Sequence, residues 1–163
     1  MKSTARALRL LSIALLAPIA LASASAATRW ETLESIHMVE NPRNSQAPGP
    51  RGELGAYQFR AETWHNYSRL PFSSALNRAQ SDAVAVQHYE WIKRTLERGG
   101  VEGSTYNIAL AWNAGVGAVL AGNAPSAAQN YAARVDNLAA ELHSRVSPEP
   151  TRAPVTLAAL ELP

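Results

Sequence analysis

Apolar residues run almost unbroken from Leu10 to Leu21, with Ser12 the one polar residue among them. Lys2, Arg6 and Arg9 precede the run, and Ala24-Ser25-Ala26 come after it. Positive, then apolar, then small is the order of a secretory signal, here residues 1–26, and the run is too short and too interrupted by Pro18 for a membrane span. From Trp30 the pattern turns helical. Trp30, Leu33 and Ile36 are spaced to share one face, which predicts a helix from Trp30 to Glu40, and Asn41-Pro42 ends it because the residue before a proline avoids helical geometry. Residues 43–56 carry Pro48, Gly49, Pro50, Gly52 and Gly55 and read as a loop or a small irregular hairpin. A short helix is expected at Ala61–Tyr67, and residues 69–80 are ambiguous, with Pro71 near a turn.

The clearest helix runs to about Arg98. Ser81 reads as its N-cap with Asp82 in the first turn, Val84, His88, Trp91, Ile92 and Thr95 lie on one side, and Gly99-Gly100 stops it. A further helix is expected from Ser104 to Asn113, with Gly115 and Gly117 bending the chain beyond it. A last one starts near Ser126, and Tyr131, Val135, Leu138 and Leu142 give it an apolar stripe. After Ser147, Pro148, Pro150 and Pro154 predict a flexible tail over 148–163. The mature chain is thus one mainly α domain, residues 27–147, long enough for its own core, with a Gly/Pro-rich loop near its start and no internal repeat.

Charge changes the picture only once the signal is set aside. Of 15 basic and 13 acidic residues, the signal takes three basic and no acidic ones, so the mature part has twelve against thirteen. The basic isoelectric point therefore argues for no nucleic-acid partner and no anionic membrane surface. The chain has no cysteine, so no disulfide supports an exported domain and no lipid can be attached through a cysteine. The expectation is a protein soluble after cleavage of its signal, periplasmic or released. No CxxC, HExxH or Gly-rich phosphate loop occurs, and the four histidines are scattered, so neither metal nor cofactor is expected.

Candidate chemistry sits in four places. Leu33, Ile36 and Glu40 fall at i, i+3 and i+7, which puts the Glu40 carboxyl on or beside an apolar face and at the negative end of a helix dipole. Both settings oppose ionisation, and a carboxyl kept protonated is what cleavage of a glycosidic bond needs, because the leaving oxygen must gain a proton. Gly52-Glu53-Leu54-Gly55-Ala56-Tyr57-Gln58-Phe59 offers glycines that let backbone approach a ligand, with Tyr57 and Gln58 suited to sugar hydroxyls and N-acetyl groups. Ala111-Trp112-Asn113-Ala114-Gly115 closes a helix with an amide, and Tyr131 lies in the last helix. Singly, each has an ordinary explanation: a solvated Glu at a helix end, a loop with a core tyrosine, a C-cap, a core tyrosine.

In this order the four resemble the lytic transglycosylases (SLT type) of the lysozyme-like superfamily. In that family a catalytic Glu ends the first helix, a GxxG segment leads into a Gln commonly eighteen residues on, an A-Y-N-A-G segment comes later, and a Tyr lies on a closing helix. Here the matching residues are Glu40, Gly52 and Gly55, Gln58 at an interval of eighteen, Ala111-Trp112-Asn113-Ala114-Gly115, and Tyr131, over about residues 30–140. The chain departs from the pattern in having Asn41-Pro42 directly after the Glu, Ala56-Tyr57 for the usual Leu-Met, and Trp112 for Tyr.

The resemblance implies a lysozyme-like α+β fold and a cleft where Glu40 is the catalytic acid and base, with Tyr57, Gln58, Gly55, Asn113 and Tyr131 binding substrate. It implies peptidoglycan strands as partner and cleavage between N-acetylmuramic acid and N-acetylglucosamine without cofactor. Small size points, by analogy of fold, to a local role serving a cell-envelope assembly machine. Two alternatives stay open: a lysozyme-type hydrolase using a second carboxylate, for which Glu53, Glu62 and Asp82 are candidates, and a non-catalytic peptidoglycan-binding module. A plain helical secreted protein with chance matches ranks last.

Overall fold

The computed structural model describes residues 27–146, so the signal expected over 1–26 and the tail expected over 148–163 lie outside the described residues. Among the described residues six α-helices run in order: α1 Arg29–Glu40, α2 Ala61–His65, α3 Arg78–Arg98, α4 Thr105–Ala114, α5 Val116–Leu120 and α6 Ser126–Val146, with a 3-10 turn at Phe72–Leu76. The chain is mainly helical. Between α1 and α2 the only sheet-like pairing among the described residues is one antiparallel bridge, Leu54 to Phe59.

Local chemistry sets the helix ends. Thr28 and Glu31 form a capping box at the start of α1, and the Asn41 amide N–H closes its last turn on the His37 carbonyl at 2.9 Å. Ser104 caps α4, its hydroxyl accepting from the Asn107 amide. Gly115, at φ +86°, turns the chain out of α4 and into α5. The expected cap of α3 is corrected. Asn77 takes that place, its side chain accepting from the Gln80 amide at 3.1 Å, so the cap lies four residues before Ser81 and the helix begins at Arg78. Asn caps as well as Ser does, and the earlier start lets Ser81 turn inward and become fully buried. Asp82 then lies in the second turn, where it pairs with Arg78 at i,i+4.

α1 packs against α3, α4 and α6. It buries Leu33 and Ile36, and with them Glu31, Thr32, Ser35 and His37. Of these buried polar groups only the Ser35 hydroxyl lacks a hydrogen-bond partner among the described residues. The Glu31 carboxylate accepts from the Thr28 amide and faces His143 Nδ1 of α6 at 2.9 Å, and the Thr32 hydroxyl lies 3.1 Å from that of Thr105 in α4. Trp30, expected beside Leu33 and Ile36, is 59% exposed. Steps of three drift backward around a helix of 3.6 residues per turn, and the third residue falls off the face. On α3 the buried row is Ser81, Val84, Ala85, Tyr89, Ile92 and Leu96, so Trp91, placed on that side by the sequence, lies off it. α6 buries Ala128, Tyr131, Ala132, Val135 and Ala139, while Leu138 and Leu142 are half-buried. Alanines on α4 and α6 let these two helices pack closely. Around them Ile36, Trp64, Ile92, Leu96, Ile108 and Val135 are sealed from solvent.

Candidate active site

Where α1 ends, the loop before α2 and the end of α4 meet beside α3. They enclose an open cleft of about 350 Å3 bordered by Glu40, Tyr57, Gln58, Trp112 and Asn113, with His88 of α3 in its wall. That volume is in the range of small-ligand sites. Glu40 is half-buried. Tyr131, from α6, donates its hydroxyl to Glu40 Oε1 at 2.8 Å. Burial raises the Glu40 pKa above the ordinary carboxyl value. The Tyr131 hydrogen bond opposes the rise, the nearby charge of Glu53 adds to it, and Arg134 opposes it more weakly. The upward direction means that burial prevails. Burial also pushes the Tyr131 hydroxyl far up, so it stays a donor at every working pH.

The loop that carries Gln58 is built on Asn41. Its Nδ2 donates to the carbonyls of Ser45 at 3.0 Å and Gly55 at 3.1 Å, and its Oδ1 accepts from the Ser45 amide at 2.8 Å. The residue that closes α1 thus also holds both ends of the segment facing Glu40. Leu54 and Phe59 pair through their backbones at 3.0 and 2.9 Å, leaving residues 55–58 as a tight turn. Gln58 sits at φ +46°, a left-handed conformation that costs a non-glycine residue about 1 kcal/mol. Its side-chain Nε2 donates to the Gly55 carbonyl at 3.0 Å, which fastens the turn and fixes the amide at the cleft.

Of the residues expected to bind substrate, Tyr57, Gln58 and Asn113 border the cleft, and Tyr131 reaches it through Glu40. Gly55 does not border it. Its φ is +79°, and a Cβ there would stand 1.9 Å from the Ala75 carbonyl oxygen, so its missing side chain serves contact with the 3-10 turn instead of a ligand. Tyr57 is 3% exposed. Its hydroxyl donates to Asp82 at 2.7 Å and the Arg78 guanidinium lies 5.7 Å from its ring centroid, so it contributes a wall and not a free hydroxyl.

Among the carboxylates considered beside Glu40, Glu53 borders the cleft. Asp82 is held by Tyr57 and Arg78 and borders a separate groove with Trp30, Leu33 and Glu34. Glu62 borders neither. The sequence reading missed Arg51, Arg60, Thr63 and His88, all at the cleft. The two arginines stand at loop positions with no periodicity to mark them, whereas a histidine within the apolar row of α3 was a signal available in the sequence. Among the described residues no group of three or more His, Cys, Asp or Glu is placed to hold a metal ion, and no helix is long and apolar enough to cross a membrane. Compared with protein-family models, curated proteins and solved structures, the chain matches none.

Proposed function

We propose that the chain is a peptidoglycan-cleaving enzyme of lysozyme-like fold, a lytic transglycosylase with Glu40 as its single acid and base. The observation that carries the reading is the setting of Glu40. Four segments distant in sequence converge on it, it is partly removed from water, its pKa is raised, and a tyrosine hydroxyl orients it. In the reaction the protonated carboxyl gives its proton to the oxygen between N-acetylmuramic acid and N-acetylglucosamine, and the C1–O bond breaks. The resulting carboxylate then takes the proton of the muramic 6-hydroxyl, whose oxygen bonds to C1 and closes a 1,6-anhydro ring. Glu40 ends protonated, as it began, and neither water nor a second carboxylate enters.

Tyr131 fits both halves. Its hydrogen bond fixes the rotamer of the acid and stabilises the carboxylate that forms midway. Gln58 and Asn113 supply amide groups for sugar hydroxyls, and Arg51 and Arg60 suit the carboxylates that muramic sugars and their peptides carry. A lysozyme-type hydrolysis is the second reading, and Glu53 at the cleft favours it, since a second carboxylate could position water. The test is mass spectrometry of the fragments released from purified sacculi. Anhydro ends support the transglycosylase, reducing ends the hydrolase, and binding without release a glycan-binding module.

A further inference from the structure

His88 takes no part in the cleavage just described, yet it borders the same cleft as Glu40 and Asn113. Four aromatic rings box it in. Trp91 stacks parallel to it, 8° from coplanar at 5.9 Å, and Trp112 meets it edge-on at 4.7 Å. Phe59 and Tyr67 stand at 6.5 and 5.4 Å. Burial pushes its pKa down to about 4, so the ring is neutral at ordinary pH and carries one N–H and one acceptor nitrogen. The Tyr67 hydroxyl lies 3.1 Å from Nδ1, and a phenol is a stronger donor than a neutral imidazole N–H, which favours the tautomer that carries its proton on Nε2. Nε2 has no partner among the described residues. It is not sealed either, for the unpartnered polar side-chain atoms cut off from solvent are those of Ser35, Gln80 and Ser81.

We propose that His88 is the cleft's acetamido-recognising residue: its Nε2–H donates to the carbonyl oxygen of a sugar N-acetyl group, while Trp112 and Phe59 face the methyl. The inference rests on the glycan-cleft reading above and adds what that reading leaves open, namely which group tells an amino sugar from a plain one. A single neutral donor among aromatic faces matches a group that joins one acceptor to an apolar methyl. A hydroxyl has no methyl for the rings, and a carboxylate is served by Arg51 and Arg60 at the same cleft. Tyr67 and the rings act as positioning residues, fixing the tautomer and the ring plane.

The experiment compares binding of two neutral β-1,4 pentasaccharides, one of N-acetylglucosamine and one of glucose, by calorimetry on the full chain carrying Glu40→Gln so that nothing is cut. His88→Phe keeps a ring in the box and removes the donor. It is expected to weaken binding of the N-acetylated pentamer about tenfold, one hydrogen bond's worth, and to leave the glucose pentamer within about twofold. Equal losses for both sugars, or none for either, overturn the assignment and leave the cleft reading standing. If neither pentamer binds and sacculi release nothing, the cleft reading falls and this inference with it. A measurement needing no variant runs beside it: nitrogen-15 NMR of the wild-type imidazole at neutral pH should show Nε2 protonated and Nδ1 bare, and a ring protonated on Nδ1 or on both nitrogens overturns the proposal.

Discussion

Replacing Glu40 with Gln separates the chemistry of the carboxyl from its place in the fold. The amide has the same size and can still accept from Tyr131 through its oxygen. It can neither give the proton that the leaving oxygen requires nor take one from the 6-hydroxyl. General acid–base assistance contributes about 10²–10⁴-fold, and here one group serves two steps, so the loss should lie at the upper end or beyond. Stability should move the other way. The folded pKa of Glu40 is raised above its ordinary value of 4.5, chiefly by burial, so the folded chain binds this proton more tightly than the unfolded one. Wild-type stability from this group is therefore fully present below about pH 4.5 and falls as pH rises through the folded pKa. Gln has no charged form to desolvate. The variant should melt above wild type at pH 7 to 8, and the gap should close as pH falls toward 4. Release of anhydro-muropeptides from sacculi, set beside melting curves across that pH range, reads both effects. Near-wild-type release by Glu40→Gln, or loss of release by Glu53→Gln with Glu40→Gln active, would refute the acid assignment. A melting gap that widens toward acid would refute the burial argument.

Tyr131→Phe removes the hydrogen bond that lowers the Glu40 pKa, so the alkaline limb of the pH–rate profile should move to higher pH while the rate falls; an unmoved limb would mean the bond has no influence on the acid. Glu53→Gln removes a like charge that raises the Glu40 pKa, and the same limb should move to lower pH with cleavage retained; abolished cleavage with intact folding would favour the hydrolase. Asn41→Ala breaks three hydrogen bonds at a buried residue and should cost about 2–4 kcal/mol in urea unfolding, and a cost under about 1 kcal/mol would show that the loop is held otherwise. Gly55→Ala meets both a left-handed backbone and the Ala75 carbonyl, so a destabilisation of about 3 kcal/mol or more is expected, and a variant as stable as wild type would contradict the turn geometry.

Helices with clean periodicity and strong stops were legible in the sequence: α3 through Ile92 and Gly99-Gly100, α4 from Ser104, and α6 around Tyr131 and Val135. α1 was legible in extent but not in orientation, because it buries Glu31, Thr32, Ser35 and His37 alongside Leu33 and Ile36. A polar group paired by a partner far along the chain, as Glu31 is by His143, looks solvent-facing until the partner is known. The start of α3 was misplaced because two good capping residues, Asn77 and Ser81, lie one turn apart, and in the folded chain Ser81 is buried while Asn77 caps. At the cleft, the interval from Glu40 to Gln58 was readable only through the resemblance, and the structure shows a short turn and one asparagine tying that stretch locally. The position of Asn113, the bond from Tyr131 and the box around His88 arise only when α3, α4 and α6 have packed.

The bond from Tyr131 to Glu40 spans 91 residues and joins α1 to α6. In the proposed enzyme this makes competence a property of the finished molecule. A nascent or threaded chain whose closing helix has not docked carries at position 40 an acid that is neither oriented nor withdrawn from water. It ionises like any exposed glutamate and cuts nothing. Every incomplete copy, and every copy clipped within α6 before Tyr131, would thereby be inactive with no separate inhibitor to maintain.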